Sequence, residues 1–315
     1  MPMKTLLVGT ALAVAAIVPA QAQTFVNVLT GGTSGVYYPL GNALATIYAK
    51  SIPNAKTGVQ ATKASVENLN LLQAGKGEIG FSLGDAVSQA WKGDAEAGFA
   101  QPLKKLRGIA GIYPNYIQIV ASASSGIKTV EDLKGKRISV GAPKSGTELN
   151  ARAVLAAAGL TYKDFSKVEY LAFGESVDLM KNRQLDLTLQ SAGLGVSSIR
   201  DLASSIDINV VAVSPEIVAK VGDPAYVSMP IPKGTYKGQD TDVATVAINN
   251  YLITHDGVSD DVAYQMTKSL FEHLDTMVAS HAAAKDIKLE KALEGMPVPL
   301  HPGAEKFYRE KGMIK

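Results

Sequence analysis

The chain has 315 residues, of which 46% are hydrophobic and 6% aromatic, and its formal net charge is +2. A hydrophobic content of this size is typical of a folded globular protein and excludes an intrinsically disordered chain. The sequence contains no cysteine, which excludes disulfides, thiolate metal sites and thiol nucleophiles. No basic run with interleaved aromatic residues occurs, so we expect no nucleic-acid partner.

The first 22 residues have the order of features typical of a secretory signal peptide. Lys4 precedes an apolar run at 6–18, and the small residues Ala20 and Ala22 surround Gln21 in a cleavage-site pattern. The run is 13 residues long, whereas a transmembrane helix needs about 20. We therefore predict that residues 1–22 are removed and that the mature protein, beginning at Gln23, is exported.

The mature chain begins with segments that alternate between strand-like and helix-like patterns. Short apolar runs predict strands at 25–29, 59–62 and 79–81. Helical periodicity predicts helices at 37–50, 69–74 and 85–91, with Ser65 and Asp85 as N-caps. Alternation at this spacing indicates α/β units around a mainly parallel sheet.

The same pattern returns in the middle of the chain. It predicts strands at 137–140, 168–171, 185–189 and 208–213 and helices at 147–158 and 177–183. Extended apolar segments at 113–120 and 244–252 join the two sets, and a long helix at 260–274 precedes a polar tail. Two crossings predict two hinged lobes, lobe I at 24–116 plus 246–315 and lobe II at 117–245. A polar surface loop is predicted at 234–242.

Three turns rich in glycine and hydroxyl side chains each precede a helical segment, at 30–39, 64–68 and 145–148. Any one of them alone is explained by a tight turn and a helix cap, without a ligand. Helix N-termini in α/β sheets, however, offer unpaired N–H groups and a partial positive charge beyond the carboxyl ends of the strands. Three such turns in one chain predict a cleft that binds a small anion.

The motifs do not support an enzyme. No G-x-S-x-G sequence occurs, and no two histidines have the i, i+4 spacing of a zinc-binding helix. We interpret the histidines as exposed or locally hydrogen-bonded; they are His255, His273, His281 and His301. Residues 141–147 resemble a phosphate-binding loop but have Thr147 where lysine is required, which argues against nucleotides. We expect no catalytic residue, no metal and no cofactor.

Several motifs together resemble those of the solute-binding proteins of TAXI-type TRAP transporters. In chain order they are LTGGTSGVYYPLG (29–41), SVENL (65–69), GFSLGD (80–85), DLKGKRISVG (132–141), SGT (145–147) and PLHPGAEKFY (299–308). The first and last are specific, whereas the others recur in other periplasmic binding proteins. The resemblance implies a type II periplasmic-binding-protein fold, in which two α/β lobes joined by a hinge enclose a ligand cleft.

The same resemblance implies that residues of both lobes contact the ligand. The implied ligand-binding residues are Gly32, Thr33, Tyr37, Ser65, Asn68, Asp85 and Asn115 in lobe I, and Ser145, Gly146, Thr147 and Gln190 in lobe II. Family members with known ligands take mostly glutamate, related amino acids or dicarboxylates.

Three positions depart from the family pattern. Ser34 and Lys144 stand where glycine is frequent, and Asn115 stands where glutamate is frequent. An amide at this position cannot pair with a ligand ammonium as a carboxylate could, so we predict that an organic acid without an amine is preferred over glutamate. Lys144 is interpreted either as a positive charge beside the anion site or as a solvated lysine.

The sequence thus predicts a periplasmic solute-binding protein that captures a small carboxylate, an organic acid or an amino acid such as glutamate, for TRAP-type transport. The expected partners are the small anionic ligand and the membrane subunits of the transporter, and we expect a monomer. Two alternatives stay open, namely a cleft for a neutral or aromatic solute and a sensory binding module. An exported enzyme is the least favoured interpretation.

Overall fold

The computed structural model describes residues 23–315; the predicted signal peptide at 1–22 lies outside the described residues. Within 23–315, no helix is long and apolar enough to cross a membrane. The strands of this part of the chain belong to a single mixed sheet that extends through two sets of α/β units. The first set comprises residues 24–92 and the second comprises residues 137–231.

The first set follows the predicted alternation of strands and helices. Its elements are β1 (Thr24–Leu29), α1 (Tyr37–Ser51), β2 (Ala55–Gln60), α2 (Ser65–Gln73), β3 (Ile79–Leu83) and α3 (Gly84–Lys92). Strand β1 pairs in parallel with β2 and β3. The predicted N-caps are wrong by one or two residues, because α2 begins at Ser65 after Ala64, and α3 begins at Gly84 after Leu83.

A long strand leads from the first set into the second, which again alternates strands and helices. The elements are β4 (Leu106–Ser122), β5 (Arg137–Ser139), α4 (Gly146–Ala157), β6 (Lys167–Glu169), α5 (Phe173–Lys181), β7 (Leu187–Ala192), α6 (Ser197–Ser205), β8 (Ile208–Val211), α7 (Pro215–Val221) and β9 (Val227–Ile231). The sequence analysis missed α6, α7 and β9. Helix α7 carries a local signal that was overlooked, since Ser214 caps it and Pro215 follows at the first turn.

The chain then returns through a second long strand and ends in helices. These elements are β10 (Val243–His255), α8 (Asp260–Glu272), α9 (Leu274–Ser280) and α10 (Pro302–Glu310). The predicted polar tail is wrong, because α10 places the apolar Ala304, Phe307 and Tyr308 on one buried face. Residues 234–242 form turns without helix or strand, as predicted.

The sheet is mixed rather than mainly parallel. Strands within the α/β units pair in parallel, as β5 does with β6 and β7. The two long strands instead pair antiparallel with all their neighbours: β4 with β7, β8 and β10, and β10 with β3, β4 and β9. The prediction erred because it assigned the long strands to connecting segments and not to the sheet itself.

The long strands change partners where they cross between the two sets. Strand β10 pairs with β9 through residues 243–247 and with β3 through residues 250–253. Strand β4 pairs with β7 from Tyr116 onward, next to Asn115, which faces Ile248 of β10. The predicted lobe boundaries at 116/117 and 245/246 lie in this crossing. The division of the chain into two moving lobes itself stays a prediction.

Candidate ligand-binding site

A cavity of about 280 Å³ lies between the two α/β sets. Its walls come from the turns after β1, β2 and β3, from β4 and β7, and from the N-terminal turns of α4 and α5. One of the two crossing strands, β4, supplies Tyr113 and Asn115 to the wall, so the cavity lies against the point at which the chain passes between the sets.

Five helices contribute residues from their N-terminal ends to the wall of this cavity. For four of the helices, the wall contains both the first helical residue and the residue before it; for α3 it contains only the residue before it. These residues are Val36 and Tyr37 for α1, Ala64 and Ser65 for α2, Leu83 for α3, Ser145 and Gly146 for α4, and Ala172 and Phe173 for α5. A helix N-terminus has N–H groups without intrahelical partners and a partial positive charge. Several of them around one small volume favour a bound anion.

Three hydroxyl groups accompany two of these helix ends, that of α2 and that of α4. The Ser65 Oγ accepts a hydrogen bond from the Leu83 N–H (3.2 Å), and the Ser145 Oγ caps α4 by accepting from the Glu148 N–H (3.1 Å). The Thr147 hydroxyl makes no hydrogen bond with any residue of 23–315. Since a serine or threonine oxygen that accepts still has a proton to donate, all three offer donors to a ligand oxygen.

A chain of neutral hydrogen bonds lies behind the wall. The Tyr37 hydroxyl donates to the Asn250 Oδ1 (2.5 Å), and the Asn250 Nδ2 donates to the carbonyl of Tyr113 and to the Asn115 Oδ1 (both 2.8 Å). The Asn115 Nδ2 donates in turn to the carbonyl of Ser191 (2.9 Å). Burial raises the pKa of Tyr37 above its ordinary value, so the phenol stays neutral. The orientation of the Asn115 amide is therefore fixed by its partners.

Two charged residues line the cavity, and both are exposed. They are Lys63, from the turn before α2, and Glu175, whose carboxylate accepts from the Ala172 N–H at the start of α5. Sequence analysis missed Lys63, although it lies directly before one of the three glycine and hydroxyl turns. Lys144 is exposed and does not line the cavity, which agrees with its interpretation as a solvated lysine.

The structure brings most of the residues implied by the family resemblance to one place. Seven of them line the cavity, namely Gly32, Tyr37, Ser65, Asn115, Ser145, Gly146 and Thr147. The other four do not line it: Thr33 is exposed on the first turn, whereas Asn68, Asp85 and Gln190 are buried elsewhere.

Asn68 and Gln190 have partners within the protein. The Asn68 Nδ2 donates to the carbonyls of Thr30 (2.7 Å) and Phe81 (2.9 Å), which ties α2 to the ends of β1 and β3. The Gln190 Oε1 accepts from the hydroxyl of Ser198 on α6 (2.6 Å). Both side chains thus hold elements that shape the cavity without lining it, although the Gln190 Nε2 has no partner among residues 23–315.

Asp85 joins the two α/β sets. Its Oδ2 accepts from the Asn150 Nδ2 of α4 and from the Tyr226 hydroxyl, each at 2.7 Å, and its Oδ1 accepts from the Ala86 N–H (2.8 Å). Burial raises the pKa of Asp85 to about 6, against the lowering effect of the Tyr226 and Ala86 hydrogen bonds. This carboxylate therefore contacts the opposite set instead of the cavity.

Close contacts also surround the cavity. The hydroxyl of Ser197 on α6 donates to the carbonyl of Ser34 in the first turn (2.9 Å). At the start of α4, a Cβ on Gly146 would lie 2.6 Å from the Ser65 hydroxyl and 2.5 Å from a methyl of Leu83. Only glycine fits there, because the N-terminus of α4 approaches those of α2 and α3 directly.

The histidines have local roles. Among residues 23–315, no group of three or more His, Asp or Glu side chains is placed to hold a metal ion. The Nδ1 atoms of His255, His281 and His301 each accept a hydrogen bond from the N–H two residues further on, and the His273 Nδ1 contacts the carbonyl of Ser269. The interpretation of these residues as locally bonded is confirmed.

Solved structures with a similar fold include a periplasmic binding protein. PhnD1 from Prochlorococcus marinus, in complex with methylphosphonate, matches with a TM-score of 0.59 and 11% identity over 92% of this chain and 99% of that one. The periplasmic binding protein BugD matches with a TM-score of 0.58 and 13% identity over 93% and 95%. The fold is therefore the predicted one, two α/β lobes of a periplasmic binding protein. Within this class, the chain belongs to the NMT1-like family, whose model matches residues 28–312.

Proposed function

We propose that this protein is the periplasmic receptor of a TRAP-type transporter, and that it captures a small carboxylate between its lobes without catalysing a reaction. The observation that carries the proposal is the convergence of five helix N-termini and three hydroxyl side chains on one cavity. Each charge-assisted hydrogen bond contributes about 1.5–3 kcal/mol net, so a few of them offset the entropy lost when a small anion is captured.

The cavity favours an anion over a cation. Its one acidic side chain, Glu175, is exposed and already accepts a hydrogen bond from backbone. Its one basic side chain, Lys63, is exposed and attracts anions. A buried ammonium needs a carboxylate or several acceptors beside it, whereas the surrounding helix ends present donors.

The proposal extends to ligand preference, because Asn115 offers no charge to an amine. Both ends of its amide are engaged, by Asn250 and by the carbonyl of Ser191. We propose that an organic acid without an amine binds better than glutamate. An Asn115→Asp substitution keeps the acceptor for Asn250 and adds a charge, so it should shift the preference toward amino acids while costing some stability at Ser191.

The assignment to TRAP-type transport of the TAXI family is supported by the six motifs, which extend from residue 29 to residue 308. On this proposal, export removes residues 1–22, and the monomeric protein closes lobe II (117–245) on lobe I (24–116 plus 246–315) around the ligand. The closed form then docks on the membrane subunits. A gene neighbourhood without such subunits would favour the sensory alternative.

The identity of the ligand is tested first by thermal shift and then by isothermal titration calorimetry. The probes are succinate, 2-oxoglutarate, glutamate, benzoate, glucose and methylphosphonate. A carboxylate at a hundred times its Kd should stabilise the protein by about 2.7 kcal/mol. Binding of carboxylates, with glutamate weaker than 2-oxoglutarate, is the expected result. Binding of glucose alone would overturn the anion proposal. Binding of methylphosphonate alone would keep the anion but replace the carboxylate.

A further inference from the structure

We infer that Tyr113 and Ser191 form a second recognition point in the same cavity, and that this point takes an uncharged oxygen of the ligand, either a hydroxyl or a carbonyl. The substrate class is then a hydroxy acid or an oxo acid. The inference rests on the proposed function, because it assumes that the anionic group of the ligand lies at the helix N-termini.

The two hydroxyls are buried, and the protein leaves both without a partner. Tyr113 is 0% exposed and Ser191 is 4% exposed, and both residues line the cavity. Neither hydroxyl finds a hydrogen-bond partner among residues 23–315. Buried polar groups in proteins are almost always hydrogen-bonded, since leaving one unpaired is costly. We infer that a ligand oxygen supplies the partner that both hydroxyls lack.

The main chain of both residues is held in place by buried amides. The carbonyl of Tyr113 accepts from the Asn250 Nδ2 (2.8 Å), and the carbonyl of Ser191 accepts from the Asn115 Nδ2 (2.9 Å). The ring of Tyr113 lies so close to Gly193 that a Cβ there would be 3.1 Å from a ring carbon. Residues whose backbone is fixed before binding lose less entropy when a ligand arrives.

The charge pattern argues that the ligand group is neutral. Burial raises the pKa of Tyr113 well above its ordinary value, so the phenol keeps its proton and can donate. The ionic side chains of the cavity wall, Lys63 and Glu175, are both exposed. A second carboxylate at Tyr113 and Ser191 would have no cation beside it, and an ammonium would have no anion. A hydroxyl or carbonyl oxygen needs neither.

The test compares matched acids on matched variants. Butanoate and pentanoate are titrated by calorimetry beside their 2-oxo, 3-hydroxy and 4-hydroxy derivatives, against wild type, Tyr113→Phe and Ser191→Ala. The control is Tyr48→Phe, because the Tyr48 hydroxyl is also buried without a partner but belongs to α1 and lies outside the cavity. Thermal unfolding of each variant shows whether it folds.

Wild type and Tyr48→Phe should bind at least one oxygenated acid about tenfold more tightly than its parent acid. Tyr113→Phe and Ser191→Ala should lose most of that ratio and keep the affinity for the parent. If oxygenated and parent acids bind the folded variants with the wild-type ratio, the second recognition point is wrong while the anion site stands. If wild type binds no acid of the series and none of the carboxylates tested above, the proposed function fails and this inference fails with it.

Discussion

The cavity and the contact around Asp85 lie between the same two α/β sets, and both combine helix N-terminal turns with buried polar side chains. They differ in whether the central side chain of each has hydrogen-bond partners among residues 23–315. The carboxylate of Asp85 accepts three hydrogen bonds at 2.7–2.8 Å. At the cavity, the hydroxyls of Tyr113 and Ser191 have no partner within residues 23–315.

This difference separates a structural contact from a binding site. The side chains are buried in both places, so burial cannot tell the two apart. A satisfied polar group stabilises the protein by itself, whereas an unsatisfied one next to a cavity gains only when a ligand arrives. We therefore assign Asp85 to the joining of the two sets. The following predictions test that assignment and the contrast with the cavity.

The largest effect is expected on removing the carboxylate of Asp85. Asp85→Ala leaves the buried donors of Asn150 and Tyr226 without an acceptor, so the free energy of unfolding should fall by about 2–4 kcal/mol. The matched control is Asp275→Ala, since Asp275 also occupies the second position of a helix and accepts from the next N–H, but is exposed and has no partner in the other set. Urea unfolding of both variants measures the difference. Equal losses would mean that the contact across the sets contributes nothing.

A second effect follows from the raised pKa of Asp85, about 6 against an ordinary 3.8. The folded state binds the proton more tightly than the unfolded state, so this group favours folding below pH 3.8 and loses that contribution as the pH rises to 6 and above. Asp223 and Tyr226 face the same carboxylate. The stability of wild type minus that of Asp85→Asn should fall by up to about 3 kcal/mol between pH 4 and pH 7. A stability difference that does not change with pH would contradict the raised pKa of the Asp85 carboxylate.

On the cavity side, two neighbouring hydroxyls should behave differently. Thr147→Val removes a hydroxyl that no other residue of 23–315 engages, so affinity for the anion should fall by about 1–3 kcal/mol while stability is kept. Ser145→Ala should lose similar affinity and also about 1 kcal/mol of stability, because Ser145 caps α4. Calorimetric titration and urea unfolding of the two variants separate these outcomes. Unchanged affinity in both would remove the N-terminus of α4 from the binding site.

The smallest effect concerns charge at the mouth of the cavity. Lys63→Gln should weaken anion binding about twofold to fivefold, because water screens the charge of an exposed lysine. The effect should be smaller at high salt, since dissolved ions screen the charge further. Lys144→Gln is the control, since Lys144 is equally exposed but lies off the cavity wall. Titrations at low and high salt measure both. An equal effect of the two substitutions would mean that only the overall charge of the protein matters.

Short-range patterns in the sequence predicted much of the fold and part of the site. The strands and helices of the two sets are mostly where periodicity and turn residues predict them, because those signals act over a few neighbouring residues. The same signals identified the helix N-terminal turns with Ser65, Ser145 and Thr147, and these turns do line the cavity. Helix α10 was missed despite its local pattern, because its charged residues were interpreted as a tail.

The tertiary structure alone decided which polar side chains face the cavity. Asp85 follows a predicted strand and Tyr113 begins a predicted extended segment, and nothing local in the sequence ranks one above the other as a ligand contact. Asp85 is satisfied by partners 65 and 141 positions away in the chain, and those partners exist only after the two sets meet. Tyr113 meets no such partner within residues 23–315. Sequence patterns thus determine where helices begin and which donors they carry, whereas the satisfaction of a buried polar group depends on residues that only folding brings near.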